Sequence, residues 1–331
     1  MGLWACTAIL GLLVGFMPAC TPLTLSIGPE NRPPRETTVH KDKQAGRDKV
    51  AIIDLRGLIT DSPSATIFGP GENPVDHIVT RLRRAEDDTN VKAVILRINS
   101  PGGTVTASDT LHDEVRRFRE RSGKPVVASL GEVAASGGYY IAIAADEIIT
   151  QPTTITASIG VVIQTMNVSD GLARIGIQSR AVTSGRNKDM ANPLAPMRDG
   201  HYELLQGIVD QFYARFSSLV RERRPGIDAG AFADVTDGRV ITGDEAARVG
   251  LADGLGGIHD AFARAKSLAG IEHASLIKYT SRGRAASTVY TRADAPPSAT
   301  TPMNIEVNLL RLDTPWLTSP NAWYLWTPDL P

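Results

Sequence analysis

One serine lies in a setting that suits nucleophilic catalysis. Ser136 follows an apolar run, 125–130, that predicts a buried strand, and it precedes a small-residue run, 140–145, that predicts a helix. Between them lie Gly137 and Gly138, which allow another backbone to approach closely. A hydroxyl beside the free N–H groups of a helix start is what acyl transfer requires. Taken alone, the same small residues are better explained by tight packing of a helix on a sheet.

A serine nucleophile needs a base, and the histidines offer none in a suitable place. None of the six lies in a glycine-rich turn or a polar loop, and two lie within predicted amphipathic helices. They are His40, His77, His112, His201, His259 and His273. The remaining option is a serine–lysine pair, since burial can lower a lysine pKa far enough for general-base catalysis.

Lys188 is the candidate base, and Ser158 is a candidate partner for its amine. Lys188 lies in a polar loop, 184–193, that follows a predicted strand at 177–183. Ser158 lies in a loop of small polar residues, 152–160, and its hydroxyl could orient the lysine amine. A solvated loop lysine and an ordinary turn serine remain the alternative explanations of these two residues.

The elements that must position these residues alternate between strands and helices. The first half of the chain has predicted strands at 50–55, 91–98 and 126–130 and helices at 75–85 and 105–121. This alternation predicts right-handed βαβ crossovers and a parallel sheet covered by helices. Ligands gather at the carboxyl ends of parallel strands, so the glycine turns at 100–103 and 135–138 are expected to face one site. Neither turn has the sequence of a phosphate-binding loop.

The second half of the chain also contains predicted strands and helices. Strands are predicted at 147–150, 161–163 and 177–183, and helices at 168–175, 199–223, 244–249 and 258–269. The helix at 199–223 has a clear apolar stripe. After 281 the pattern fails, and the tail 281–331 is rich in Pro, Ser, Thr and Ala, which predicts extended or disordered chain. Its terminal aromatic cluster, 323–326, is expected to dock on a groove of its own or a neighbouring subunit.

Composition narrows the function classes. The chain has 331 residues, 42% of them hydrophobic, and a formal net charge of -1. This leaves room for one large or two ordinary domains, and the balanced charge argues against a nucleic-acid-binding protein. Its two cysteines, Cys6 and Cys20, lie at the N-terminus, so the body has neither a disulfide nor a cysteine metal site.

The N-terminus has the character of an export signal followed by a tether. The apolar run 3–19 is short for a membrane span, and Cys20 after a small residue resembles a lipoprotein processing site. The absence of basic residues in 1–4 and the presence of Met17 depart from that pattern. An uncleaved anchor and ordinary signal cleavage are the alternatives. The polar, Pro-containing segment 21–49 predicts a flexible tether to a body at 50–280.

Five motifs occur in the order that is typical of signal peptide peptidase A, the SppA-like serine endopeptidases. They are 99–103 (Asn-Ser-Pro-Gly-Gly), 134–142 (Ala-Ala-Ser-Gly-Gly-Tyr-Tyr-Ile-Ala), 157–161 (Ala-Ser-Ile-Gly-Val), 184–189 (Ser-Gly-Arg-Asn-Lys-Asp) and 242–253, which begins Thr-Gly-Asp-Glu-Ala. The resemblance covers about 50–269. The chain has no internal repeat, and Ser136 precedes Lys188 by 188 − 136 = 52 residues, so it resembles the compact, single-domain form of the family.

This resemblance implies a site and a function. Ser136 is then the nucleophile, Lys188 the general base and Ser158 the hydroxyl that hydrogen-bonds the lysine, with backbone N–H groups near Gly103 and Gly137 as oxyanion donors. The implied fold is an α/β spiral of βαβ units, like crotonase and Clp protease subunits, in a single catalytic domain. The implied protein is a membrane-associated ring on the extracytoplasmic side of a bacterial cell that cleaves hydrophobic remnant signal peptides. It needs no cofactor or metal and binds no nucleic acid.

Two other functions are compatible with parts of the sequence. A crotonase-like architecture also suits a coenzyme A thioester enzyme, which would use two oxyanion N–H groups without a covalent serine. The motifs around Ser136 and Lys188, together with the export signal, argue against this alternative. The third possibility is an inactive assembly or scaffold protein, although every motif position holds a catalytically competent residue.

Overall fold

The computed structural model describes residues 35–63, 65–66, 69–70, 73–280, 286–291 and 323–325. All of them belong to one unit, Pro34–Pro331. The described strands are β1 (Arg35–Lys41), β2 (Lys49–Arg56), β3 (Ala65–Thr66), β4 (Gly69–Pro70), β5 (Val91–Ser100), β6 (Gly102–Thr104), β7 (Val126–Ala135), β8 (Glu147–Thr150), β9 (Ile155–Ala157), β10 (Val240–Thr242), β11 (Gly254–Leu255), β12 (Ser275–Thr280) and β13 (Trp323–Leu325). The described helices are α1 (Pro74–Asp87), α2 (Val105–Ser122), α3 (Gly137–Ala142), α4 (Ser169–Arg174), α5 (Asp199–Arg223), α6 (Ala229–Val235), α7 (Gly243–Val249) and α8 (Ile258–Leu268).

The main sheet is mixed, and its centre is parallel. Its strand order is β1-β12-β2-β5-β7-β8-β11, and β9 and β10 extend it to nine strands. The pairs from β12 to β11 are parallel, whereas β1 pairs antiparallel with β12 and β10 with β9. The long strand β7 pairs with β8 along its first half and with β9 along its second half. The carboxyl ends of β5, β7 and β9 therefore meet at one edge of the sheet.

The central strands form because their side chains are apolar on both faces. In β5, Leu96 belongs to a core that also includes side chains of α1, α2 and α3, and Ile95 belongs to a second core beneath α8. Both side chains are fully buried. Neighbouring residues of a strand point to opposite faces, so helices must cover the sheet on both sides. The predicted α/β fold with helices on a parallel sheet is confirmed.

Two predicted strands are wrong. Residues 161–163 and 177–183 are not strands, and most of the second range is exposed, including Val182 at 99% and Ile177 at 51%. Val162 makes a single isolated bridge, and none of the described strands forms a ladder with either range. Ile177 and Val182, the two large apolar residues of the range 177–183, lie on the surface of the single chain.

The predicted tether 21–49 ends earlier than expected. Strand β1 pairs antiparallel with β12 along the edge of the sheet, and Val39 packs against the core beneath α8. Its composition is polar because it is an edge strand with one face in solvent, and this concealed it in the sequence. The apolar run 3–19 and Cys20 lie outside the described residues. Within the described ranges, no helix is both long enough and apolar enough to cross a membrane.

Two parts of the tail are among the described residues. The segment 286–291 lies on the sheet, where Ala286 and Val289 are buried and the carbonyl of Thr291 accepts a hydrogen bond from Lys278 Nζ (3.1 Å). Farther on, β13 pairs antiparallel with β6. Trp326, the last aromatic residue of the predicted cluster, lies outside the described residues.

Candidate active site

Ser136 occupies a strained position between β7 and α3. Its φ is 52° and its ψ is -115°, a conformation that L-residues with a side chain rarely adopt. Two backbone hydrogen bonds hold it, since its N–H donates to the carbonyl of Ala157 (2.7 Å) and its carbonyl accepts from the N–H of Tyr140 (2.8 Å). The side chain is 1% exposed. The surrounding structure therefore imposes this conformation on a buried serine.

Ser158 lies beside Ser136 at the end of the neighbouring strand. Strand β9 runs parallel to β7 with Ala157 opposite Ala135, so the two serines directly follow paired residues. Adjacent strands are about 5 Å apart, which places the two serine backbones within side-chain reach. Ser158 is also buried, has a φ of 51°, and donates its N–H to the carbonyl of Arg239 (2.8 Å). The structure thus brings together two of the three predicted catalytic side chains.

The two glycine turns meet, as expected from their positions at the ends of β5 and β7. A Cβ atom added to Gly138 would lie 3.0 Å from the carbonyl oxygen of Ser100. Ser100 shapes its own turn, because its Oγ donates to the carbonyl of Gly57 (2.6 Å) and accepts from the N–H of Gly102 (3.1 Å). Glycine at 138 is therefore required for the close approach of the two turns.

Strand β6, which contains Gly103, is fixed against residue Ile59. The N–H of Ile59 donates to the carbonyl of Gly102, and the N–H of Thr104 donates to the carbonyl of Ile59, both at 2.9 Å. A Cβ atom on Gly103 would lie 1.9 Å from the oxygen of Ile59, so only glycine fits here. The Thr104 side chain caps α2 by accepting from the N–H of Ala107 (3.3 Å). Gly103 is thus held rigidly beside the turn that carries Ser136.

Lys188 does not join the serines within the single chain. Its side chain is exposed, whereas both serines are buried, and among the described contacts none links it to Ser136 or Ser158. The loop that carries it is anchored at its other end, where Arg198 at the start of α5 donates to Asp189 (2.9 Å). The third predicted catalytic side chain is therefore presented to the surface.

Arginines that the sequence analysis overlooked support the helix after Ser136. Arg223, from the end of α5, donates to the carbonyls of Ile143 (3.0 Å) and Ala145 (2.6 Å), and Arg119, from α2, donates to Ala144 (2.8 Å). These bonds satisfy carbonyl groups just beyond the end of α3, where a helix leaves acceptors unpaired. Basic residues in the last turns of α2 and α5 were the only sequence signal for this role.

Two aromatic residues fix α3 against its neighbours. Burial raises the pKa of Tyr139, which stays neutral and donates its hydroxyl to the carbonyl of Leu251 (2.8 Å). The hydroxyl of Tyr140 donates to Asp109 (2.6 Å) on α2, and its ring packs against the ring of His112 with centroids 5.3 Å apart. Burial lowers the pKa of His112, so its neutral ring packs behind α3. The position of His112 is compatible with the expectation that the histidines do not act as the base.

Comparisons with known proteins find peptidases that this chain resembles in sequence. The model of Peptidase family S49 matches residues 118–272, a range that includes Ser136, Ser158 and Lys188. A relative from Enterococcus faecium that bears the name of signal peptide peptidase SppA is 30% identical over 238 residues, which are 72% of this chain and 69% of the relative. Protease 4 of Salmonella typhi is 36% identical over 232 residues, which are 70% of this chain but only 36% of the relative. A solved membrane-bound stomatin-specific protease aligns with 67% of this chain and 86% of its own, at 19% identity and a TM-score of 0.43.

The α/β fold and these similarities define a serine-type peptidase. The chain belongs to peptidase family S49. It spans most of the length of the Enterococcus relative and about a third of the length of Protease 4.

The strain at Ser136 leads to a prediction about stability. Ser136→Gly and Ser136→Ala both remove the hydroxyl, but glycine adopts the observed φ and ψ without the cost of about 1–3 kcal/mol that a Cβ incurs. The greater freedom of glycine in the unfolded chain offsets about 0.5–1 kcal/mol of this gain. We expect Ser136→Gly to have the larger free energy of unfolding, by about 1 kcal/mol, when the two variants are unfolded by urea side by side.

Ser108 provides the matched control. It is a buried serine inside α2, where glycine is less favourable than alanine by about 1 kcal/mol. The same pair of substitutions at Ser108 should therefore show the opposite order. If glycine is the destabilising choice at both positions, Ser136 does not store backbone strain.

Proposed function

We propose that this chain is a membrane-associated endopeptidase in which Ser136 attacks the peptide bond, Lys188 acts as general base and Ser158 orients the lysine amine. One observation supports it above the others: Ser136 and Ser158 are buried side by side at the carboxyl ends of paired strands. A serine held in a strained turn at the start of a helix lies beside backbone N–H groups, which suits a nucleophile that attacks a bound peptide. Ser158 then supplies the second hydroxyl that a serine–lysine pair needs.

In the proposed reaction, the neutral amine of Lys188 takes the proton of Ser136 Oγ while the oxygen attacks the substrate carbonyl carbon. The negative charge that forms on the carbonyl oxygen is stabilised by the N–H groups of Gly103 and Gly137. The protonated lysine gives its proton to the leaving amine as the C–N bond breaks, which leaves an acyl-enzyme. A water molecule, deprotonated by the same amine, then attacks the acyl carbon, and the lysine returns that proton to Ser136 Oγ as the ester C–O bond breaks, which releases the acid product.

We further propose that the pair is completed between two copies of the chain. A lysine acts as a general base only when its amine is shielded from solvent, yet Lys188 is exposed in the single chain. Apolar side chains that precede it in the sequence are also exposed, namely Ile175, Ile177 and Val182, and a neighbouring copy would cover them. A ring of such copies would bury each lysine against the serines of its neighbour.

The proposed substrates are hydrophobic peptides such as remnant signal peptides. The relative from Enterococcus faecium carries the name of a signal peptide peptidase, and its similarity covers the serines and the lysine. An extended apolar peptide can replace β13 on the edge of β6 that faces away from Ile59, since backbone hydrogen bonds there do not depend on the peptide sequence. The site therefore suits unfolded peptides better than folded proteins.

The central prediction is that Ser136→Ala and Lys188→Ala each lower kcat for a fluorogenic apolar peptide at least about a thousandfold. Arg186→Ala is the matched control, because it removes a positive charge from the same exposed loop and should leave kcat near that of the parent chain. When the two inactive variants are mixed as unfolded chains and refolded together, about a quarter of the sites combine an intact serine with an intact lysine. Activity should then return.

Three results would contradict this account in different ways. Wild-type rates in both alanine variants would exclude the serine–lysine pair. Two inactive variants that stay inactive after mixing would place both residues of each site in one chain. Turnover of an acyl-coenzyme A without peptide cleavage would instead support the thioester enzyme.

We also propose that Cys20 carries a lipid that holds the chain at the outer face of the membrane. The support is its place directly after the apolar run 3–19 and a small residue. A lipid chain would keep the peptidase unit close to the membrane, where leftover signal peptides reside. The segment between Cys20 and β1 would then set the distance from the membrane surface.

The anchor is tested by expressing the full chain in a bacterial host and fractionating the membranes. Cys20→Ala should move the protein out of the membrane fraction, whereas Cys6→Ala, which changes the other cysteine, should not. Mass spectrometry of the mature N-terminus should find a lipid on Cys20. A mature chain that retains Met1, that begins after Cys20, or whose Cys20 is unmodified would refute lipidation.

A further inference from the structure

The C-terminal strand β13 lies on the edge of β6, the strand that contains Gly103. The two strands are antiparallel, with Trp323 opposite Thr104, Tyr324 opposite Gly103 and Leu325 opposite Gly102. More than 200 residues separate β13 from β6 along the chain, since 323 − 104 = 219. This pairing is therefore a long-range docking of the tail onto the site.

Only one edge of β6 is open to such a partner. The carbonyl of Gly102 and the N–H of Thr104 are already bonded to Ile59. Successive residues of a strand direct their backbone groups to opposite edges, so the N–H and carbonyl of Gly103 point towards β13. Tyr324 is thus the residue that exchanges backbone hydrogen bonds with Gly103, and its carbonyl faces the Gly103 N–H group.

The tail strand also contacts the helix that begins beside Ser136. Strand β13 lies against α3 and against α2, the helix that follows β6. The turn before β6 touches the turn of Ser136, as the 3.0 Å approach of a Gly138 Cβ position to Ser100 shows. Strand β13 therefore lies next to both the Gly103 donor and the helix that follows the serine nucleophile of the proposed peptidase.

We propose that residues 323–325 occupy the peptide-binding groove as an internal competitor, with Tyr324 in the place of the substrate residue whose carbonyl is attacked. This inference rests on the proposed function, since it assigns an occupant to the groove of that same site. The segment has the character of the proposed substrates, because Trp-Tyr-Leu-Trp at 323–326 is wholly apolar. Covalent attachment gives it a high effective concentration, so weak pairing suffices for occupancy.

The pairing also defines how a substrate lies in the groove. A substrate that replaces β13 runs antiparallel to β6, with its residues before the cleaved bond directed towards Thr104 and those after it towards Gly102. The groove then favours an apolar or aromatic residue opposite Gly103. A peptide with a charged residue at that position should be a poor substrate. A peptide with proline there should also be poor, since proline lacks the N–H that would donate to the Gly103 carbonyl.

The test is a pair of proline substitutions in the full chain. Tyr324→Pro removes the N–H that bonds Gly103, whereas Leu325→Pro is the matched control, because the N–H of Leu325 points away from β6 and proline is tolerated there. We expect Tyr324→Pro to lower the apparent KM for an apolar peptide about tenfold, with kcat unchanged, because the competitor no longer pairs. Leu325→Pro should keep the parent KM.

A binding measurement separates this inference from the proposed activity. In a Ser136→Ala background, a fluorescent peptide with the sequence of 320–327 should bind about tenfold more tightly when Tyr324→Pro is also present. If this holds but no chain cleaves peptides, the groove and its occupant stand and the peptidase proposal fails. If all chains cleave peptides with equal KM and bind the fluorescent peptide equally, the peptidase stands and the internal competitor is refuted.

Discussion

The rest of the site depends on the pairing of β7 with β9. The hydrogen bond from the N–H of Ser136 to the carbonyl of Ala157 holds one serine in a left-handed conformation, and the same pairing places Ser158 beside it. This arrangement is possible because β7 changes partners along its length, from β8 to β9. Without that change, the two serines would end strands that do not touch.

The fold could be predicted from the sequence, and part of the site as well. Strand–helix alternation indicated the parallel sheet, and the helix predicted at 199–223 is α5 with the same bounds. The strand predicted at 177–183 was wrong because this range has apolar side chains only at Ile177, Ala181 and Val182, a pattern too weak to specify a strand. The conformation of Ser136 could not be predicted from the sequence, because glycine is the usual sequence signal for a positive φ and here a serine adopts one.

The contrast between buried serines and an exposed lysine unites the two proposals. Under these proposals, the site is inactive until the copies assemble, and the tail on the edge of β6 limits access to it afterwards. Both features would suit a peptidase that is held at a membrane, as proposed here, and that must spare other proteins. The hydrogen-bonded elements β6, fixed against Ile59, and α3, held by Arg119 and Arg223, are those that would align the reacting atoms of the proposed site.

The central claim is that Ser136 is a nucleophile activated by Lys188. It is tested most directly by treating the assembled protein with a fluorophosphonate and mapping the modified residue by tandem mass spectrometry. The account predicts a single adduct on Ser136 that forms in the Arg186→Ala chain and is lost in the Lys188→Ala chain. An adduct on Ser158 or another serine, or equal labelling of Ser136 without Lys188, would contradict it.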